Sequence, residues 1–216
     1  MTYLDLQWFD KCCGTGLLKS PFLEIGSAKV QGINNLCDLA RGRGIKSLGV
    51  DLQKMDGVDH VADFSVPGDE FRRNWVLGNF ATVAIFNVLE HTFDPIHILD
   101  NALGCLEPEG TLLVLTPAIW PIHNYPADFL RLLPDWYRRF AAAHELRIIE
   151  DCFCWVSSFA IEPVANHPEF PTYISRKAKA SPSRYWVSRF VHKALNTYGR
   201  NHWATHCAIG AAFERP

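Results

Sequence analysis

Residues 80–88, Phe-Ala-Thr-Val-Ala-Ile-Phe-Asn-Val, constrain the fold of this chain more than any other stretch. They are nearly continuous in apolar side chains, so neither face of the segment is left for water. A strand of that kind is buried on both sides, which a parallel sheet covered by helices provides. Shorter runs of the same character stand at 22–25, 47–52, 111–115 and 146–155. Between them apolar residues recur at helical spacing: Ile33, Leu36, Cys37 and Ala40, then Phe71 and Trp75, then Ile96, Leu99, Leu103 and Leu106 behind Asp94-Pro95. This alternation predicts an α/β, doubly wound, Rossmann-like fold. With a short strand at 59–64 and a last one at 206–213, the sheet has seven strands. It is mostly parallel, with the last strand antiparallel because no helix follows it.

A length of 216 residues suits a single domain spanning 1–216. Residues 1–20, with Tyr3, Leu6, Phe9 and Cys13 at helical spacing, form an N-terminal cap helix. Residues 156–205 interrupt the last two strands with seven Lys or Arg against two Asp or Glu, and form a lid or insertion. Val187, Phe190, Val191, Ala194 and Leu195 make a helical stripe within it. A net charge of −2 argues against a duplex-binding protein, so no DNA partner is expected. The seven cysteines lack metal-ligand spacing and read as reduced, mostly buried thiols. Neither a signal peptide nor a membrane span is apparent, which predicts a cytoplasmic protein.

Small residues after the first strand, Gly26-Ser27-Ala28, open the way to a helix and leave backbone N–H groups free to meet a ligand. The second strand ends in Asp51, an acid placed as in nucleotide-binding units that grip ribose hydroxyls. The glycine pattern is degenerate, since Ala28 and Val30 occupy positions where such loops usually carry glycine.

Taken in order, Phe22-Leu23-Glu24-Ile25-Gly26, Gly49-Val50-Asp51, Asp63-Phe64, Phe86-Asn87-Val88-Leu89-Glu90-His91, Leu106-Glu107-Pro108-Glu109-Gly110 and Leu113-Val114-Leu115-Thr116-Pro117 resemble the class I S-adenosylmethionine-dependent methyltransferases of small-molecule type. The resemblance covers residues 20 to about 155. It implies S-adenosyl-L-methionine as cofactor, with Glu24 and Gly26 shaping the pocket for its methionine part. Ser27 and Ala28 would lie close by, Asp51 and the adjoining Leu52 at the ribose, Asp63 and Phe64 at the adenine, and Asn87 beside the methionine moiety.

Methyl transfer from a sulfonium asks for an in-line acceptor, exclusion of water and, for an oxygen or nitrogen acceptor, a base. His123 is the candidate catalytic base. Glu90, His91, Tyr125, Asp128 and Arg131 are candidates for the acceptor side, with Asp128 and Arg131 three apart on a helix. No His-x-x-x-His pair suggests a metal, so the expected reaction is metal-independent and its partner a small-molecule substrate. Two other functions stay open at this level: a cofactor-free scaffold on the same fold, suggested by Val30, and RNA methylation, suggested by the basic insertion.

Overall fold

The computed structural model describes residues 2–29, 33–123, 127–157, 161–164 and 207–216. Val30, Tyr125 and almost all of the basic insertion, its helical stripe included, lie outside the described residues. The described residues belong to one compact unit formed by Met1–Val164 and Thr205–Pro216.

Five parallel strands form the first half of the sheet: β1 (Phe22–Ile25), β2 (Ser47–Asp51), β3 (His60–Val61), β4 (Phe80–Phe86) and β5 (Leu106–Ile119). The second half is antiparallel to β5 or to its neighbour and consists of β6 (Arg147–Ile148), β7 (Cys154–Ser157), β8 (Ile161–Pro163) and β9 (Cys207–Glu214). The order is β3-β2-β1-β4-β5-β9-β7-β8, with β6 also paired to β9. The class is as expected and the last strand is antiparallel, but the described residues form nine strands rather than seven. The single strand expected at 146–155 is split into β6 and β7 by a 3-10 turn at Glu150–Cys152, where two exposed acids interrupt the apolar run. The short β8 falls at the edge, where Pro163 needs no ladder N–H.

All seven residues of β4 are buried, as a strand covered on both faces must be. Val83 and Ile85 point into one core with Leu23, Val114, Leu99 and Phe140. Ala84 and Phe86 point into the other, with Trp8, Phe9, Leu36 and Cys37. The first core lies under α3 (Gly68–Asn74), α4 (Pro95–Gly104) and α5 (Pro134–Ala143), the second under α1 (Tyr3–Gly14) and α2 (Leu36–Gly42).

Several helix boundaries follow from local chemistry. Asp94 caps α4 by accepting from Ile96 N, with Pro95 at the first position. Pro134 likewise begins α5 rather than breaking a longer helix, because a helix start has no use for the missing N–H. Asp128 and Arg131 therefore sit in a loop before α5, not on a helix face. α1 buries Trp8, Phe9 and Cys12 and leaves Tyr3 73% exposed, so its inward stripe is rotated from the expected one. Trp8 lies flat on β9 at Gly210, where any Cβ would overlap the indole. All seven cysteines are free, and all but Cys13 are buried. Among the described residues no helix is long and apolar enough to cross a membrane.

Candidate functional site

The crevice at the carboxyl ends of β1, β2 and β4 is built from backbone first. Gly26 and Ser27 extend the β1–β2 ladder by donating to Val50 O at 2.8 and 3.1 Å. Gly26 then turns with φ +85°, and a Cβ there would overlap Val88 Cγ2, so both the backbone and the contact with the end of β4 call for glycine. Asp51 closes the next edge: its Oδ2 accepts from Ala28 N at 3.1 Å and its Oδ1 from Leu52 N at 2.7 Å. Each oxygen keeps a further acceptor position, and the residue is half-buried at the strand end. Leu52 beside it is 58% exposed. Asp63 Oδ1 accepts from Ser65 N and Oγ, leaving Oδ2 without a hydrogen-bond partner among the described residues.

The chemistry of these groups fits an adenosine: two Asp51 oxygens able to accept from ribose hydroxyls, an Asp63 oxygen able to accept from an amino group, and a glycine that leaves the strand end uncrowded. Two expected contributors act differently. Glu24 is 1% exposed and accepts from Leu36 N and Cys37 N at 3.1 and 2.7 Å, so it caps α2 from beneath the crevice. Burial pushes its carboxyl up to about 7 despite those two bonds. Phe64 is packed in the core against Phe71 with ring centroids 4.5 Å apart, so only its backbone can border an adenine. Ser27 is buried as well, and its hydroxyl has no hydrogen-bond partner.

The acceptor side lies where the turns after β4 and β5 clasp each other. Phe129 N donates to Glu90 O at 2.8 Å, and His91 Nδ1 donates to Ala127 O. The carbonyl can only accept, so His91 carries its proton on Nδ1 and turns the Nε2 lone pair inward. His123 Nδ1 lies 3.2 Å from Asp128 Oδ2, which also accepts from His123 N. Arg131 grips both Asp128 oxygens, and this guanidinium, first among the causes, holds the Asp128 carboxyl below the usual carboxylate range. The two side chains meet at ion-pair distance without hydrogen-bond geometry, and the ionised Asp128 carboxylate favours the His123 proton on Nδ1, which leaves the lone pair on Nε2. Both lone pairs point toward Glu90 Oε1, at 3.7 Å from His91 Nε2 and 4.0 Å from His123 Nε2. Glu90 is 1% exposed, neither of its oxygens has a hydrogen-bond partner among the described residues, and burial raises its carboxyl to about 7.

Two imidazole nitrogens and a carboxyl that ionises only near neutral pH thus converge. Such a nest takes a hydroxyl proton, or a cation. Its ligand atoms lie within 4.8 Å of one another, the spacing of a metal site. Sequence inspection found no metal pattern because His123 comes from a different loop than Glu90 and His91. The structure brings Glu90, His91, His123, Asp128 and Arg131 together. Asp5, not among the candidates read from the sequence, is buried and accepts from Asn87 Nδ2. Asn35, also unremarked, donates to Ser27 O and Gly57 O and ties the glycine loop to the loop after β2. The Thr2-x-x-Asp5 capping-box spacing was the available signal for Asp5.

The family model described as a methyltransferase domain matches residues 5–167. A ubiquinone biosynthesis O-methyltransferase of Xanthomonas campestris pv. campestris is 30% identical over 169 residues, covering 73% of this chain and 67% of the relative. Among solved structures, a SAM-dependent methyltransferase from Archaeoglobus fulgidus matches at 14% identity with a TM-score of 0.53, over 98% of this chain and 94% of that one. An S-adenosylmethionine-dependent methyltransferase from Clostridium acetobutylicum matches at 10% identity with a TM-score of 0.57, over 99% and 90% of the two chains.

Proposed function

This chain belongs to the methyltransferase-domain family and is an S-adenosylmethionine-dependent methyltransferase, and we propose that its acceptor is a hydroxyl group of a small molecule, received by Glu90, His91 and His123. The observation that carries this reading is the convergence of two imidazole nitrogens on a buried carboxyl that has no hydrogen-bond partner among the described residues. An acceptor hydroxyl supplies a donor to the imidazole nitrogens and can accept from the carboxyl when it is protonated. The named relative is an O-methyltransferase, which agrees with oxygen as the acceptor atom.

The bound cofactor supplies an electrophilic methyl group. Asp51 and Asp63 would hold its ribose and adenine, Gly26 would give it room, and Asn87 would border its methionine part. On the acceptor side His123 Nε2 takes the hydroxyl proton as the oxygen is methylated, the role of a general base. The ionised Asp128 carboxylate, 3.2 Å from His123 Nδ1, steadies the imidazolium that forms, while Arg131 keeps Asp128 ionised. Glu90, whose carboxyl is raised to about 7 and lies 4.0 Å from His123 Nε2, helps to orient the acceptor hydroxyl, and the proton stays on His123 until it passes to solvent. The reaction needs no metal in this scheme.

The test is transfer of labelled methyl from S-adenosylmethionine to a panel of hydroxylated small molecules. His123→Ala should lower turnover by about 10²-fold or more while cofactor affinity stays unchanged. A fully active variant removes His123 from the base role. The 4.8 Å spacing supports a second reading, a divalent cation held by the same three groups. Turnover that survives dialysis against a chelator supports the metal-free scheme. Loss of turnover that returns with added divalent ions supports the cation.

A further inference from the structure

The cap helix α1 is anchored at one end and latched at the other. Trp8, Phe9 and Cys12 are fully buried against the sheet, and Trp8 Nε1 donates to Cys152 O at 3.1 Å. At its first turn Asp5 is 3% exposed and reaches the end of β4. Its Oδ1 accepts from Thr2 Oγ1 at 2.9 Å, and its Oδ2 accepts from Thr2 N and from Asn87 Nδ2, the latter at 2.9 Å. Asn87 is in the left-handed region at φ +54°, with its N–H donated to Leu115 O, so its side chain leaves the strand end at a fixed point.

Two physical facts follow. Because Asp5 can only accept, the Asn87 amide is locked with nitrogen toward Asp5 and carbonyl oxygen away from it. In addition, Asp5 forms no ion pair among the described residues, so a nearly buried negative charge is held only by neutral donors and the start of a helix. A charge in that position favours a cationic ligand next to it.

We propose that Asp5 is a positioning residue of the cofactor site: by holding Asn87 Nδ2 it presents Asn87 Oδ1 to the methionine α-ammonium of S-adenosylmethionine, and its charge favours that ammonium. The inference rests on the reading that sets Asn87 beside the methionine part. It makes the first turn of α1 a component of the cofactor site.

Calorimetric titration of wild type and Asp5→Asn with S-adenosylmethionine, S-adenosylhomocysteine and 5′-methylthioadenosine tests it. The first two carry the α-ammonium, and the third keeps the adenosine but lacks the amino acid. Asp5→Asn should weaken both amino-acid-bearing ligands about tenfold and leave methylthioadenosine unchanged within about twofold. Exchanging the two residues, Asp5→Asn with Asn87→Asp, restores one donor facing one acceptor and a negative charge, and should recover most of the loss. Equal weakening of all three ligands would reduce Asp5 to a structural cap and overturn the proposal, as would no weakening of any. If wild type binds methylthioadenosine as tightly as S-adenosylhomocysteine, the methionine part has no site beside Asn87, and the underlying reading fails instead. Thermal unfolding of each variant confirms that a folded protein is being titrated.

Discussion

Replacing Glu90 by Gln keeps the shape of a buried side chain and removes its ability to ionise. Burial lifts this carboxyl from 4.5 to about 7, so in the folded protein it stays protonated up to neutral pH, whereas in the unfolded chain it ionises near 4.5. An acid whose folded value is raised contributes stability that is complete below 4.5 and is lost as pH rises through about 7. At about 1.4 kcal/mol for each pH unit between the two values, ionisation disfavours the fold by about 3 kcal/mol. Roughly 2.5 kcal/mol of that develops between about pH 5 and about pH 8.5. Urea denaturation of wild type and Glu90→Gln at those two pH values measures it. The variant should gain on wild type by that amount at the higher pH, a relative midpoint shift of roughly 1 M. Other titrating groups largely cancel in the difference. A stability difference that stays constant within about 0.5 kcal/mol across the range would refute the account of Glu90 as a buried acid without a partner.

Asp51→Ala should weaken S-adenosylhomocysteine binding at least about tenfold, since it removes both the ribose contacts and the tether to Ala28 N, and calorimetry reads the change. Asp128→Asn should lower kcat about tenfold or more with cofactor affinity unchanged, because the ionised group that fixes the His123 proton is gone; a proportional loss of cofactor binding would contradict that role. Gly210→Ala forces a methyl group into the Trp8 indole and should destabilise the protein by about 1–3 kcal/mol in denaturant unfolding, with no change expected if α1 does not pack there.

Strands buried on both faces were legible in the sequence because continuous apolar runs admit few other folds; β4 and the end of β2 at Asp51 are examples. Helix starts at Asp94-Pro95 were legible for the same local reason. β5 was harder, since it continues past Pro108 and Pro117, and its pairing shifts register between Pro117 and Ile119 where the ladder with β9 is irregular. The split between β6 and β7 was hidden because a turn of three residues scarcely alters an apolar pattern. In the site, Asp51 and the turn after β4 stood out by spacing from the first strand. The inward lone pairs of His91 and His123 did not, for each depends on what a distant residue does with the other ring nitrogen. The capping of α2 by Glu24 and the packing of Phe64 on Phe71 were not legible for a related reason: position in the chain does not disclose which way a side chain faces.

A crystal structure with S-adenosylhomocysteine bound tests the central claim most directly. The account predicts the ribose hydroxyls on the Asp51 carboxylate, the chain of the ligand passing Gly26, and the sulfur directed at the gap between Glu90 and His123. A ligand seated away from Asp51, or a sulfur turned from that gap, would contradict it.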